Sequence, residues 1–257
     1  MNTRKTARSP LKLVSTAPTS QRGRAYASFT QQILSGGIRA GQFVTQRELT
    51  ELLDTPLGSV REMIPRLEAG GLVKTVPQRG LQITPVDLKL IRNAFQIRSM
   101  IEREAVTSFV RTASDPELQA IEAAHEDILR RARSGRATER LLLDAQVVDW
   151  GLHETMVDAL GNEIISEIYR VNSLRIRLIS LEHSMLLEQA MQEHLRFIAA
   201  LRERDAERAR RLLDAHIDSA RNRVVEASLG QPPGEWLQPA QAPASKTTPT
   251  PKTRRSA

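Results

Sequence analysis

The 257-residue sequence has no cysteine, which excludes disulfide frameworks and thiolate metal sites and suits a reducing compartment. It has no stretch approaching the ~20 apolar residues that a membrane helix requires. Its first 24 residues lack the apolar centre of a secretory signal, so an unexported, cytoplasmic chain without a membrane partner is expected. No internal repeat is present, and GGIRAG lacks the strand context of a nucleotide-binding loop. Residues 1–24 contain no acid but six basic groups, and residues 229–257 carry four basic groups against Glu235. The net charge of +7 therefore sits in the two tails, and the stretch between them is nearly neutral.

The length allows two modest domains. Both tails, taken as 1–24 and 229–257, have the Pro-, Ser-, Thr- and Lys/Arg-rich composition of disordered segments. Between them the composition changes at Pro85. Residues 25–85 hold short helical patterns punctuated by Gly and Pro, whereas 86–228 hold almost no Pro and long apolar periodicities near 3.6 residues. In the first region AYASFTQQILSGG reads as a helix ended by Gly36 and Gly37. Thr45-Gln46-Arg47-Glu48 is a capping-box pattern opening a second helix, and a third runs from about Ser59 to Ala69. LVKTV and LQIT flank Pro77-Gln78-Arg79-Gly80 as a β-hairpin. Pro65 lies inside the third helix, which is expected to bend or unwind near Glu62.

Three short helices and a hairpin predict a winged helix-turn-helix, in which the second helix braces the third in a major groove. Arg47, Ser59, Arg61 and Arg66 fall where that docking places donors, and Arg79 sits at the wing tip. A helix-surface arginine is more often merely solvated, so the assignment rests on the joint pattern.

That pattern resembles the GntR family of bacterial regulators. The resemblance is carried by Ile33-Leu34-Ser35-Gly36, Gly41, Arg47-Glu48-Leu49, Val60-Arg61-Glu62, Arg66-Leu67-Glu68, Gly71-Leu72-Val73 and Arg79-Gly80. It implies homodimers on short palindromic operators in double-stranded DNA, with Arg47, Ser59, Arg61 and the pair Arg79-Gly80 at contact positions. Leu57 and Gly58 stand where the family usually has Arg and Thr, so the operator sequence is not transferable from relatives.

From residue 86 six helical segments are expected, at about 86–112, 115–133, 138–159, 162–182, 186–203 and 205–228, with Asp205 as a cap. The fold class is thus mainly α, a winged helix-turn-helix followed by an antiparallel all-α bundle. RNAFQIRSMIEREAV and DWGLHETMVDALGN resemble the FCD effector domain, and six helices point to its VanR-like subgroup. Asp149 and His153 share one helix face at i, i+4. With His194 and His216 they match the metal-binding FCD pattern, which implies a three-imidazole, one-carboxylate site for a divalent ion such as zinc, nickel or manganese. Hydrogen-bonded core histidines are the alternative. His125 and His183 do not match that pattern and receive no role. Arg98 either faces the cavity and binds an effector carboxylate or simply pairs with Glu102 on the helix.

These features together predict a DNA-binding transcription regulator, a repressor by resemblance, controlled by a small carboxylic or sugar acid at the metal-containing domain. No catalysis is expected. A metal-dependent enzyme and a non-specific nucleic-acid binder acting through the basic tails stay as alternatives.

Overall fold

The computed structural model describes residues 21–135, 138–180 and 187–230, so His183 and most of both tails lie outside the described residues. The N-terminal head comprises α1 (Gln21–Leu34), β1 (Phe43–Val44), α2 (Gln46–Leu52), α3 (Leu57–Ala69), β2 (Val73–Val76) and β3 (Gly80–Ile83). The three strands form one antiparallel sheet in the order β1-β3-β2. The helical body comprises α4 (Leu88–Thr112), α5 (Asp115–Ser134), α6 (Glu139–Asp158), α7 (Glu163–Ser180), α8 (Leu187–Arg202) and α9 (Ala206–Gly230).

Local chemistry sets the helix starts. At α2 the capping box is complete: the Glu48 N–H donates to Thr45 Oγ1 at 3.1 Å, and the Thr45 N–H donates to Glu48 Oε2 at 2.7 Å. Asp87, Ser114, Thr138 and Asp205 accept from the first turns of α4, α5, α6 and α9 in the same way. Two boundaries differ from expectation. Helix α1 begins at Gln21, because a polar first turn shows no apolar period to read. Helix α3 begins at Leu57 and continues unbroken through Pro65. The expected unwinding near Glu62 is absent. Pro65 and Arg61 are both on the exposed side of the helix, so water can reach the Arg61 carbonyl that Pro65 leaves without its usual donor.

Apolar stripes build two main cores. Phe29, Ile33, Leu49, Met63, Leu67 and Leu81 lead that of the head, and Phe95, Phe109, Met156, Tyr169, Phe197 and Ile217 that of the body. Helix α7 belongs to both. Its Leu174 and Leu178 are buried in the head core, while Tyr169 and Ile176 are buried in the body. Val171 lies against Gly70 at the end of α3, and an Arg175 N–H donates to the Gly70 carbonyl at 2.5 Å. Fully burying a leucine contributes about 1.5–3 kcal/mol, whereas an exposed ion pair contributes about 0–1 kcal/mol. The head is therefore held to the body chiefly by Leu174 and Leu178, more than by the Arg66–Glu167 pair beside them.

Candidate metal centre

Helices α6, α8 and α9 deliver Asp149, His153, His194 and His216 to one place, each offering a ligand atom within 4.8 Å of the others. His194 Nε2 lies 3.3 Å from His153 Nε2, 3.2 Å from His216 Nε2 and 3.3 Å from Asp149 Oδ1. The three imidazoles are buried and Asp149 is partly open.

Each imidazole is held by its other nitrogen. His153 Nδ1 donates to Glu102 Oε2 at 2.9 Å, and His216 Nδ1 donates to Glu193 Oε2 at 2.8 Å. His194 Nδ1 meets His125 Nε2 at 3.2 Å, and His125 Nδ1 meets the Ile121 carbonyl at 2.7 Å. A carbonyl can only accept, so His125 Nδ1 is the donor and its Nε2, in the neutral ring, the acceptor. His194 Nδ1 must then donate, which leaves its Nε2 with a lone pair. The two carboxylates dictate the same tautomer for the other rings. Burial opposes charge on Glu102, yet Arg98 and His153 outweigh it and hold its carboxyl far below the usual range. Burial likewise opposes charge on Glu193, and its hydrogen bond to His216 prevails in lowering it. His194 is pushed well below the ordinary imidazole value, first by burial and then by the neighbouring imidazoles. Burial lowers His216 and His125 too.

Three Nε2 lone pairs thus converge within a few ångströms, an arrangement that repels itself unless a cation or a proton donor intervenes. Arg98 brings a donor there, its NH2 lying 2.9 Å from His153 Nε2 and 3.5 Å from His216 Nε2. Ligands at right angles around an ion with ~2.1 Å bonds stand ~3.0 Å apart, and tetrahedral ligands slightly farther. The observed separations match that span, so the residues fit a divalent ion.

Of the two alternatives expected for Arg98, the pairing with Glu102 is present. Its Nε donates to Glu102 Oε1 at 2.7 Å while its NH2 turns to the imidazoles. Tyr169 adds a third donor to Glu102, its hydroxyl lying 2.6 Å from Oε1. A cavity of about 250 Å³ adjoins the cluster, with Arg98, Asp149 and His216 in its wall.

His125, Glu193, Tyr169 and Arg177 escaped the sequence reading. His125 left one signal: Leu118, Ile121, His125 and Ile128 form the buried stripe of α5, so an ionisable ring sits where an aliphatic side chain is expected.

In the head, Arg47 and Arg61 lie on the exposed side of α2 and α3. Arg47 pairs with Glu51 at 3.3 Å, and Arg61 Nε donates to Gln46 Oε1 at 3.1 Å. Arg79 lies over the Phe43 ring, 3.9 Å from its centre. Two residues expected at DNA have other surroundings in the structure. Ser59 is buried because it stands one turn before Met63 and two before Leu67, in the inner stripe of α3. Arg66 points to the body, 2.7 Å from Glu167 and 4.2 Å from the centre of the Tyr26 ring. Gly80 has a local structural duty. At φ 91°, a Cβ there would stand 2.7 Å from the Val44 carbonyl oxygen, so glycine is what lets β3 approach β1.

No helix among the described residues is long and apolar enough to cross a membrane. Residues 21–83 match the family of bacterial regulatory proteins called gntR, and residues 93–219 match the FCD domain. An uncharacterized HTH-type transcriptional regulator, BphR of Paraburkholderia xenovorans, is 28% identical over 202 residues, 77% of this chain and 82% of its own length. The HTH-type transcriptional repressor RspR of Escherichia coli is 23% identical over 226 residues, 86% of this chain and 95% of its own. The solved structure of E. coli McbR/YncC superposes with a TM-score of 0.69 at 17% identity, covering 81% of this chain and 99% of that one. GntR regulators bind DNA, usually as dimers, and are not enzymes. The winged head, the helical body and both family matches make this chain a GntR-family transcriptional regulator with an FCD effector-binding domain.

Proposed function

We propose that this chain is a metal-containing, acid-responsive repressor that acts as a homodimer on a palindromic operator. The observation that carries the reading is the convergence of three imidazole Nε2 atoms and the Asp149 carboxylate, with every Nδ1 committed elsewhere. Asp149, His153, His194 and His216 would hold a zinc, nickel or manganese ion, whose chemistry would be to bind an acid's carboxylate. Once the imidazole lone pairs are taken up, the Arg98 NH2 needs a new acceptor, and that carboxylate supplies it. Six helices, α4 to α9, support placing the chain in the VanR-like subgroup.

In the head, Arg47, Arg61 and Arg79 are the proposed DNA contacts, with the backbone around Gly80 shaping the wing. Leu57 and Gly58, both exposed at the start of α3, replace the family's polar pair at the position nearest the bases. Acid binding would act through α7 on the spacing of the two heads.

The test is elemental analysis and zinc titration of the full chain, followed by operator binding with and without acid. One ion per protomer, lost in His194→Ala, is expected, together with an operator affinity that changes on adding a carboxylic acid. An ion-free protein whose zinc titration is flat would sink the metal reading, and unaltered operator affinity would sink the coupling.

A further inference from the structure

Phe43 stands on the face of the wing sheet that is turned away from the head core. The strand register sets it abreast of Gln82 and Lys74, whereas the next pair, Val44 and Leu81, is buried on the inner face. Its ring is half-buried, and the exposed Arg79 lies over it with the guanidinium carbon 3.9 Å from the ring centre. Gly80 makes this approach possible. Because no Cβ stands there, β1 lies close against β3, and the first residue of β1 comes under the side chain of the last residue of the turn.

The arginines proposed to meet DNA differ in what holds them. Arg47 pairs with the Glu51 carboxylate at 3.3 Å, and Arg61 Nε donates to Gln46 at 3.1 Å. Each such bond occupies a donor, and Glu51 also cancels a charge. A ring face does neither. Its attraction falls on the flat side of the guanidinium, while the five N–H groups lie in the plane and are left for an incoming acceptor. Stacking also limits movement. A long side chain immobilised on binding loses rotamer freedom, and one already laid on a ring has given up part of it beforehand. Lys74, exposed on the same face, adds a second cation, so this face complements the DNA backbone in charge.

We infer that Phe43 is a positioning residue for operator binding: its ring holds the Arg79 guanidinium flat on the wing, with the N–H groups open to a DNA phosphate. The inference rests on the proposed contact between Arg79 and DNA. Phe43 acts through Arg79 and meets no nucleotide itself.

The test is fluorescence anisotropy of the full chain on a labelled duplex that the wild-type protein selects from a random-sequence pool, repeated over a series of salt concentrations. Phe43→Leu keeps apolar bulk but removes the ring face, and it should bind about two- to tenfold more weakly. Its salt slope should match wild type, because the phosphate contact is still made. Phe43→Tyr offers an equivalent ring face and should bind as wild type does. In an Arg79→Ala background, Phe43→Leu should change nothing further. A head merely loosened by the substitution would weaken binding in both backgrounds. Phe43→Leu binding as tightly as wild type or tighter, a loss shared by Phe43→Tyr, or a full loss on top of Arg79→Ala would each overturn the inference. Arg79→Ala with wild-type affinity and slope would overturn the DNA role of Arg79 as well.

Discussion

His125 Nε2 accepts a hydrogen bond from His194 Nδ1 at 3.2 Å, and this contact decides which nitrogen His194 presents to the centre of the cluster. His125 touches no ion itself. It passes the demand of the Ile121 carbonyl through two rings, fixing the His194 tautomer. Replacing it with Phe keeps ring volume and removes the acceptor. We expect His125→Phe to fold and to bind zinc about 10–100-fold more weakly than wild type, as loss of such supporting partners does elsewhere. Competition against a chromophoric chelator measures this, and an unchanged zinc affinity would refute the relay.

Acid should loosen the body even without metal. In the folded chain burial holds His194, His216 and His125 below the ordinary imidazole value of 6.5, while the unfolded chain titrates near that value. Above about pH 7 the two states bind equal numbers of protons and stability is level. As pH falls through 6.5 the unfolded state takes up protons that the folded state refuses, so stability drops, by up to about 1.4 kcal/mol per pH unit for each imidazole. Glu102 pulls the same way at lower pH. Its depressed value favours folding above the unfolded carboxyl value of 4.5, and that contribution fades below it. Thermal melts of chelator-treated protein from pH 8 to 5 should show a plateau and then a fall; a melting temperature that rises on acidification would contradict the buried neutral cluster.

The surroundings of the head's arginines separate two kinds. Arg61→Ala and Arg79→Ala should weaken operator binding and reduce the salt slope of log K by roughly one unit each if they meet phosphate. Arg66→Ala removes a partner of Glu167 instead, and the slope should stay at the wild-type value. A salt slope equally reduced in all three would return Arg66 to the DNA face.

Gly80→Ala tests the wing. The added methyl would meet the Val44 carbonyl at 2.7 Å in a backbone conformation costly for alanine, and a loss of about 1–3 kcal/mol in urea unfolding of the head is expected. Stability equal to wild type would mean that β1 and β3 separate more readily than their register implies.

Much of this architecture was legible beforehand, for reasons that particular residues make plain. The six body helices fall within two residues of their expected ends because Asp115-Pro116, Gly161-Asn162 and Asp205 break an otherwise continuous period. Asp149 and His153 share a helix face by spacing alone, and their meeting with His194 and His216 followed from family likeness. What stayed hidden depends on contacts distant in sequence. The pairing of Arg66 with Glu167, 101 residues away, is invisible to local pattern. The burial of Ser59 could have been read by counting back from Leu67 and Met63. Arg177 carries no local signal, and its position over Trp150 is a tertiary fact.

Helix α7 gives Arg177 to the cavity wall and Leu174 and Leu178 to the interior of the head. Close-packed interiors do not absorb displacement softly, so a rotation or slide imposed at one side of this rod must be answered at the other. Mutations that abolish the response to ligand while sparing both ligand capture and operator affinity should therefore gather on the face of this helix that packs into the head, at Leu174 and Leu178.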